Sequence, residues 1–284
     1  MSLLAHGVGS RTDLPIPLGL ALYGAGAAIL ISFVVLLLFW RTPRLGDASS
    51  GRPLPGALQR VVDSRSARRG LQAAALAVAV LVTVVAVAGP RETARNLSPW
   101  VLYVTFWVGL VPASLLLGPI WRVVNPLRLL HRGLRAVLPR APGADRLPAL
   151  GLWPGAAALL VFVWLELVHP DRAEPGTVAV FLLGYAAVQL TLAAWFGEGW
   201  FAAGDGFEVY SSLIARLSPW ARRDDGRLVL RNPLVNATVP PSLPGLTAVV
   251  VVLLGSTAFD GLSRTVFWQT GPGAANDIAS GTLG

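Results

Sequence analysis

Six long apolar runs, at residues 18–40, 71–89, 99–120, 150–168, 178–197 and 244–259, contain no Lys or Arg. Wound as a helix, each is roughly long enough to cross a ~30 Å hydrocarbon layer, the last being the shortest. A helix satisfies its backbone hydrogen bonds internally, so such runs suit the bilayer as solvent. The predicted fold class is all-α: a polytopic membrane helical bundle of six transmembrane helices. One bundle is expected over residues 1–264, with a flexible C-terminal tail at 265–284. Only 13 % of the chain is charged against 54 % hydrophobic, where a soluble domain averages about a quarter charged. The 284 residues leave no room for a large soluble domain beside the bundle.

The 23 basic residues are all arginine, and their placement orients the chain. Residues 41–70 hold seven, 121–149 hold six and 198–243 hold five, whereas the opposite side holds only Arg11, Arg91, Arg95, Arg172 and Arg264. By the positive-inside rule, the three crowded loops face the cytoplasm and both termini face out across the plasma membrane. This topological bias accounts for the net charge of +8 without a nucleic-acid partner. No cysteine is present, which excludes disulfides, thiolate metal sites and a cysteine nucleophile.

The crowded loops differ in character. Residues 41–70 are rich in Pro, Gly, Ser and Arg without a sustained apolar period, the composition of a mobile linker. Asn125-Pro126 is a strong helix start, an N-cap acceptor followed by a proline with no amide to waste. Beyond it Leu127, Leu130, Leu134, Val137 and Leu138 share one face and Arg128, His131, Arg132 and Arg135 the other, until Pro139. That pattern predicts an amphipathic helix on the inner leaflet, with anionic lipid headgroups as partners of Arg128, Arg132 and Arg135. A second candidate places Phe207, Tyr210, Leu213, Ile214 and Leu217 opposite Glu208, Ser211, Ser212 and Arg216. Gly118-Pro-Ile-Trp121 and Gly197-Glu-Gly-Trp200 end the third and fifth runs 79 residues apart, each before an amphipathic stretch. Duplication accounts for this likeness, as does chance in so biased a composition. Asp225-Gly226 beside an alternating Arg/Leu/Val run predicts a small cytoplasmic hairpin.

The signatures of soluble hydrolases are absent: the chain has no G-x-S-x-G, no H-E-x-x-H and no Gly-rich loop ending in Lys-Ser or Lys-Thr. Within the runs the polar inventory is thin, chiefly Ser32, Thr83, Thr105, Ser114, Gln189 and Thr191. Gln189 is expected to face another helix as a hydrogen-bonding contact. Six tryptophans, among them Trp121 and Trp200, fall at run ends where aromatic belts sit. The remaining polar residues lie on the outer side. Glu166 and His169, at i and i+3, share a helical face; Asp171 and Arg172 follow, and Asp260 and Arg264 end the sixth run. His6 and Asp13 precede the first. Glu166, His169 and Asp260 are the candidate catalytic residues, and with Asp171 they are the candidate ligands of one divalent metal. A locally paired interfacial carboxylate is the plainer reading of Glu166.

The segments Leu4–Pro17, Asn125-Pro-Leu-Arg128, Trp164-Leu-Glu-Leu-Val168, Pro170-Asp-Arg172 and Phe259-Asp-Gly-Leu-Ser-Arg264 resemble a family of multi-pass actinobacterial membrane proteins labelled fenitrothion hydrolase. The likeness extends over most of the chain. It implies a membrane-bound organophosphate hydrolase, in which Arg172 or Arg264 would be the electrophilic partner of a metal-activated water. The other function class to be weighed is a permease-like or metal-handling membrane protein.

Overall fold

The computed structural model describes residues 17–39, 50–136, 147–223, 225–237 and 243–271, in two compact units, Met1–Gly46 and Asp47–Gly284. The expectations placed on His6, Asp13, Trp40, Val137, Leu138 and Pro139 lie outside the described residues. The described residues of the first unit form helix α1 (Leu18–Phe39), apolar on every side and almost wholly exposed. A helix hydrophobic all round is built to face lipid.

The second unit carries the other runs. Helix α2 (Gly56–Asp63) precedes α3 (Arg65–Ala88), which Ser64 caps by accepting the amide of Ala67. Asn96 then joins two elements: its amide donates to the carbonyls of Val85 and Pro90, while its carbonyl caps α4 (Leu97–Leu117). Through Trp100–Val108 the turns of α4 widen to i→i+5 bonding. Pro112 stands just beyond and cannot offer Val108 an amide, a recognised cause of such irregularity. After α4 come α5 (Ile120–Val124) and α6 (Pro126–Leu134). The sequence then repeats the plan with α7 (Trp153–Leu167), α8 (Pro175–Phe196), α9 (Trp200–Gly204) and α10 (Gly206–Ile214). Helix α11 (Leu246–Ser263) packs along α7, and α12 (Val266–Thr270) turns Trp268 edge-on to Phe259. The start of the expected tail is therefore helical.

Among the described residues, five helices are long and apolar enough to cross a membrane: α1, α3, α4, α8 and α11. The run at 150–168 is shorter than expected. Gly151 (φ 53°) breaks it, leaving the 15 residues of α7, about 22 Å of helix.

The likeness between the two GxxW segments extends to the backbone. Gly118 ends α4 at φ 82° and ψ −156°, and Gly197 ends α8 at φ 85° and ψ −176°, a conformation a side chain would oppose. Each glycine leads into a five-residue helix, a polar cap and a nine-residue helix. Packing follows the same rule: α6 lies on α3 of its own half and α8 of the other, and α10 lies on α7 of its own half and α4 of the other. The halves α3–α6 and α7–α10 thus exchange their last helices. The α7–α10 contact is close because glycines form it; a Cβ at Gly155 would stand 2.7 Å from Val209, and one at Gly206 2.9 Å from the Leu159 amide.

The arginine-rich segments interlock at one end of the unit. The predicted hairpin is present as β2 (Trp220–Arg222) and β3 (Leu228–Leu230), turning at Gly226 (φ 79°). Against expectation the 41–70 segment is not all linker: β1 (Arg52–Pro53) adds a third antiparallel strand to β3, and Asp63 on α2 pairs with Arg222. The Arg222 guanidinium holds the Asp63 carboxyl below its ordinary range.

Candidate functional site

The charged residues buried deepest lie where the two exchanged helices meet. Asn125 and Asp205 cap α6 and α10, each accepting the amide two residues on, at 3.0 Å in both cases. They also bond each other: the Asn125 amide donates to Asp205 Oδ2 at 2.7 Å. One turn along, Arg128 grips Glu208 with both arms of its fork, Nη2 to Oε1 at 2.6 Å and Nε to Oε2 at 2.9 Å. Both pairs join residues 80 positions apart, so equivalent sites in the two halves hold opposite chemistry and bind across the junction. The next turn repeats the exchange. His131 Nε2 meets the carbonyl of Ala193 at 3.0 Å, while Ser211, its counterpart, shares a 2.8 Å hydrogen bond with Ser114. Ala193 and Ser114 are themselves equivalent, each four residues before its terminating glycine.

The surroundings complete the network. Asp205 also accepts the Tyr185 hydroxyl at 2.7 Å, the Trp121 indole at 3.2 Å and the Glu208 amide at 3.3 Å. Five donors thus converge on one fully buried carboxylate. Glu198, half exposed, accepts from Arg128 and Arg132, and Arg132 also donates to Gln72, whose amide reaches the Val123 carbonyl. Burial holds the His131 imidazole below its ordinary value. Its Nδ1 finds no partner among the described residues, consistent with a neutral ring donating through Nε2.

This arrangement corrects the expected lie of the two amphipathic helices. Helix α6 is capped by Asn125 as predicted, but its basic face is not all solvent-facing: Arg128 and His131 face the protein at 7 % and 1 % exposure together with Leu127 at 9 %, while Leu130 and Leu134 face out at 37 % and 39 %. Arg128 is therefore enclosed and paired with Glu208, and Arg132 is engaged with Glu198 and Gln72. Helix α10 is not interfacial; Phe207, Glu208, Val209 and Ser211 are all buried. Two expected belt tryptophans are internal: Trp121 bonds Asp205, and Trp200 donates to Gln189 at 2.6 Å. Gln189 does face another helix, donating to the Gly204 carbonyl at 2.9 Å.

Next to α10 lies the cluster expected on the outer side. Tyr210 stacks on Trp107 with ring centroids 4.6 Å apart, and Phe162 stands 4.7 Å from Trp107 and 6.2 Å from Tyr103. Trp107 and Tyr103 sit on the widened turns of α4, and both rings meet Phe162 of α7. The Glu166 carboxylate is half-buried among them, beside the Trp107 indole and within electrostatic reach of Asp260 and Arg172. Asp260 pairs with Arg264 at 2.8 Å on the surface. His169 is engaged locally: its Nδ1 accepts the Asp171 amide at 3.1 Å and its ring meets Trp164 edge-on at 5.5 Å. Among the described residues no three of Glu166, His169, Asp171 and Asp260 gather into a metal-holding group. His169 belongs to the loop after α7.

Comparison with protein-family models, with curated proteins and with solved structures gives no match. The Arg128–Glu208 junction was not read from sequence, although Asn125 and Asp205, residue types that both favour N-caps, stand 80 positions apart before the two amphipathic stretches.

Proposed function

We propose that this chain is a carrier-type, permease-like protein of the plasma membrane with both termini outside. In this reading its inner end is sealed by Arg128, Glu208 and Glu198, and its outer approach is lined by Glu166, Asp260 and the rings of Tyr103, Trp107 and Tyr210. The observation that carries the proposal is the pairing of equivalent residues across an internal duplication whose half-length helices meet at the junction. Repeats related by a pseudo-two-fold axis, with discontinuous helices at the shared centre, are a plan that many carriers use to move one half against the other. Ionisable groups enclosed within a membrane bundle mark functional sites by default. A fork-shaped Arg–Glu pair is a contact that two rigid halves can make and break. The arginine bias, and the interlocking of arginine-rich segments at one end, support a cytoplasmic position for the seal.

The chain has no cysteine, so sidedness can be read directly. A single cysteine at Tyr210 should react with an impermeant maleimide from the outer face of membrane vesicles and not from the inner face. Adding Glu208→Gln should open the seal and admit the reagent from the inner face. Unchanged sidedness in that background would refute the carrier reading. Turnover of a chromogenic phosphotriester by the purified protein, lost on Glu166→Gln, would replace it with the hydrolase that the resemblance implies.

A further inference from the structure

Helix α2 separates its residues into two faces. At about 3.6 residues per turn, Ala57, Leu58, Val61 and Val62 fall within one arc, and Gln59, Arg60 and Asp63 share the opposite arc with Gly56. The polar arc is the one the protein holds: Asp63 pairs with Arg222 of β2 and with Arg68, and Gln59 is half-buried. The chain enters α2 from the sheet, where the Leu54 amide donates to the Leu228 carbonyl at 3.0 Å. The apolar arc is consequently turned outward. Leu58, Val61 and Val62 are 41, 64 and 38 % exposed, and no residue of α2 is buried. A helix on a water-facing surface takes the opposite stance, apolar side in. Single exposed apolar side chains are ordinary, but a contiguous face of them marks an interaction surface.

The neighbouring chain says what covers this face. Ser64 alone separates α2 from α3, a 24-residue helix long and apolar enough to cross a membrane. With successive Cα atoms ~3.8 Å apart, the end of α2 stands within about 8 Å of the start of α3. The Val62 carbonyl accepts from Arg68 Nε at 3.0 Å and fastens the junction. Helix α2 is therefore held at the level where α3 enters lipid. Arg60, Arg65 and Arg69 are exposed around it, side chains whose heads reach the headgroup layer while their stems cover apolar surface. Helix α6, joined to the same end of α3 through Arg132 and Gln72, also turns Leu130 and Leu134 outward.

We infer that α2 is an interfacial anchor whose Ala57, Leu58, Val61 and Val62 face is seated in the lipid leaflet at the arginine-rich end, between headgroups and acyl chains. Amphipathic helices of this kind lie in the plane of the leaflet with the apolar face ~5–10 Å deep. Through Asp63 and Arg222 the lipid-held helix is tied to the three-stranded sheet. The inference does not depend on the carrier reading.

The test uses the full chain, one copy per nanodisc of phosphatidylcholine and phosphatidylglycerol. In the cysteine-free background, Val61→Cys and Arg60→Cys each carry a nitroxide. Power saturation then compares collisions with oxygen, which concentrates in lipid, and with a water-soluble nickel chelate. The Val61 label should favour oxygen several-fold more than the Arg60 label, at a depth of about 5–10 Å. Adding Leu58→Asp should return the Val61 label to the aqueous profile while leaving the unfolding midpoint in detergent unchanged, since no residue of α2 is buried. A Val61 label as open to nickel as the Arg60 label would place the face in water and overturn the inference. So would a Val61 label closed to both reagents, which would place protein over the face, or one unmoved by Leu58→Asp. A label open to nickel in one-copy discs but closed to both reagents in two-copy discs would assign the face to a second copy of the chain instead.

Discussion

Removing one partner of the Arg128–Glu208 pair should cost far more than removing both. The two side chains are 9 % and 1 % exposed and share two hydrogen bonds of 2.6 and 2.9 Å. A single neutral replacement strands a buried charge, a loss of about 3–5 kcal/mol. The flanking charges rank the two singles. In Glu208→Gln, Arg128 retains Glu198 at 3.2 Å; in Arg128→Gln, Glu208 retains only Arg122 at 3.9 Å, whose side chain is 64 % exposed. Arg128→Gln should therefore sit at the upper end of the range. Arg128→Met/Glu208→Leu strands neither charge and should fall within about 2 kcal/mol of the parent, since apolar packing replaces buried pairs with little loss. Tryptophan fluorescence during thermal unfolding in detergent reads this out, a 3 kcal/mol loss moving the midpoint by roughly 6–12 °C. If the double variant lost as much as the two singles together, or if both singles were silent, the pair would not be the buried contact described.

Three further outcomes follow from the same geometry. His131 is neutral when folded because burial depresses its proton affinity, so its contribution to stability is present above the ordinary histidine value of about 6.5 and lost as pH falls through the lower folded value. His131→Gln should flatten the decline of the unfolding midpoint between about pH 7 and 5; Glu198, Arg128 and Arg135 surround the ring in both proteins, and an unaltered slope would count against a buried neutral imidazole. Asp63→Asn removes the tie between α2 and Arg222, so protease cleavage within residues 50–64 should quicken several-fold with little change in overall stability, the pair being partly exposed; no change in cleavage would return this segment to a free linker. Cysteines at Ser50, Ala144 and Asp225 should resist impermeant thiol reagents in intact cells while one at Glu174 reacts, and the reverse pattern would invert the topology.

Much of the architecture is legible in local patterns. Arginine-free runs mark the helices, Asn125-Pro126 marks the start of α6, and Asp225-Gly226 marks the hairpin, because each is decided by neighbours in sequence. The orientation of α6 was not legible in this way. Its two faces are plain from periodicity, but which face turns inward depends on Glu208 and Ala193, brought close only by the exchange of helices. A basic face opposite a leucine face reads as surface when the buried acid that neutralises it is out of view. Strand β1 failed for a different reason: two residues carry no alternation, and the partner strand lies far along the chain. Glu166 and Asp260 both stand near helix ends, as their places in the apolar runs imply. The placement of His169 does not follow from its i+3 spacing, because α7 ends at Leu167 and the chain turns before His169.

Whether the two halves interlock through equivalent residues can be measured most directly at Ser114 and Ser211, whose hydroxyls lie 2.8 Å apart on opposite halves. In the cysteine-free chain, Ser114→Cys/Ser211→Cys should oxidise to a disulfide, which needs a sulfur separation of about 2.05 Å. A protease site inserted between Pro142 and Gly143 then separates the first half from the second. After cleavage, the oxidised protein should run as one band on a denaturing gel and as two after reduction. Two bands under both conditions, from protein that still unfolds cooperatively, would contradict the interlocked duplication.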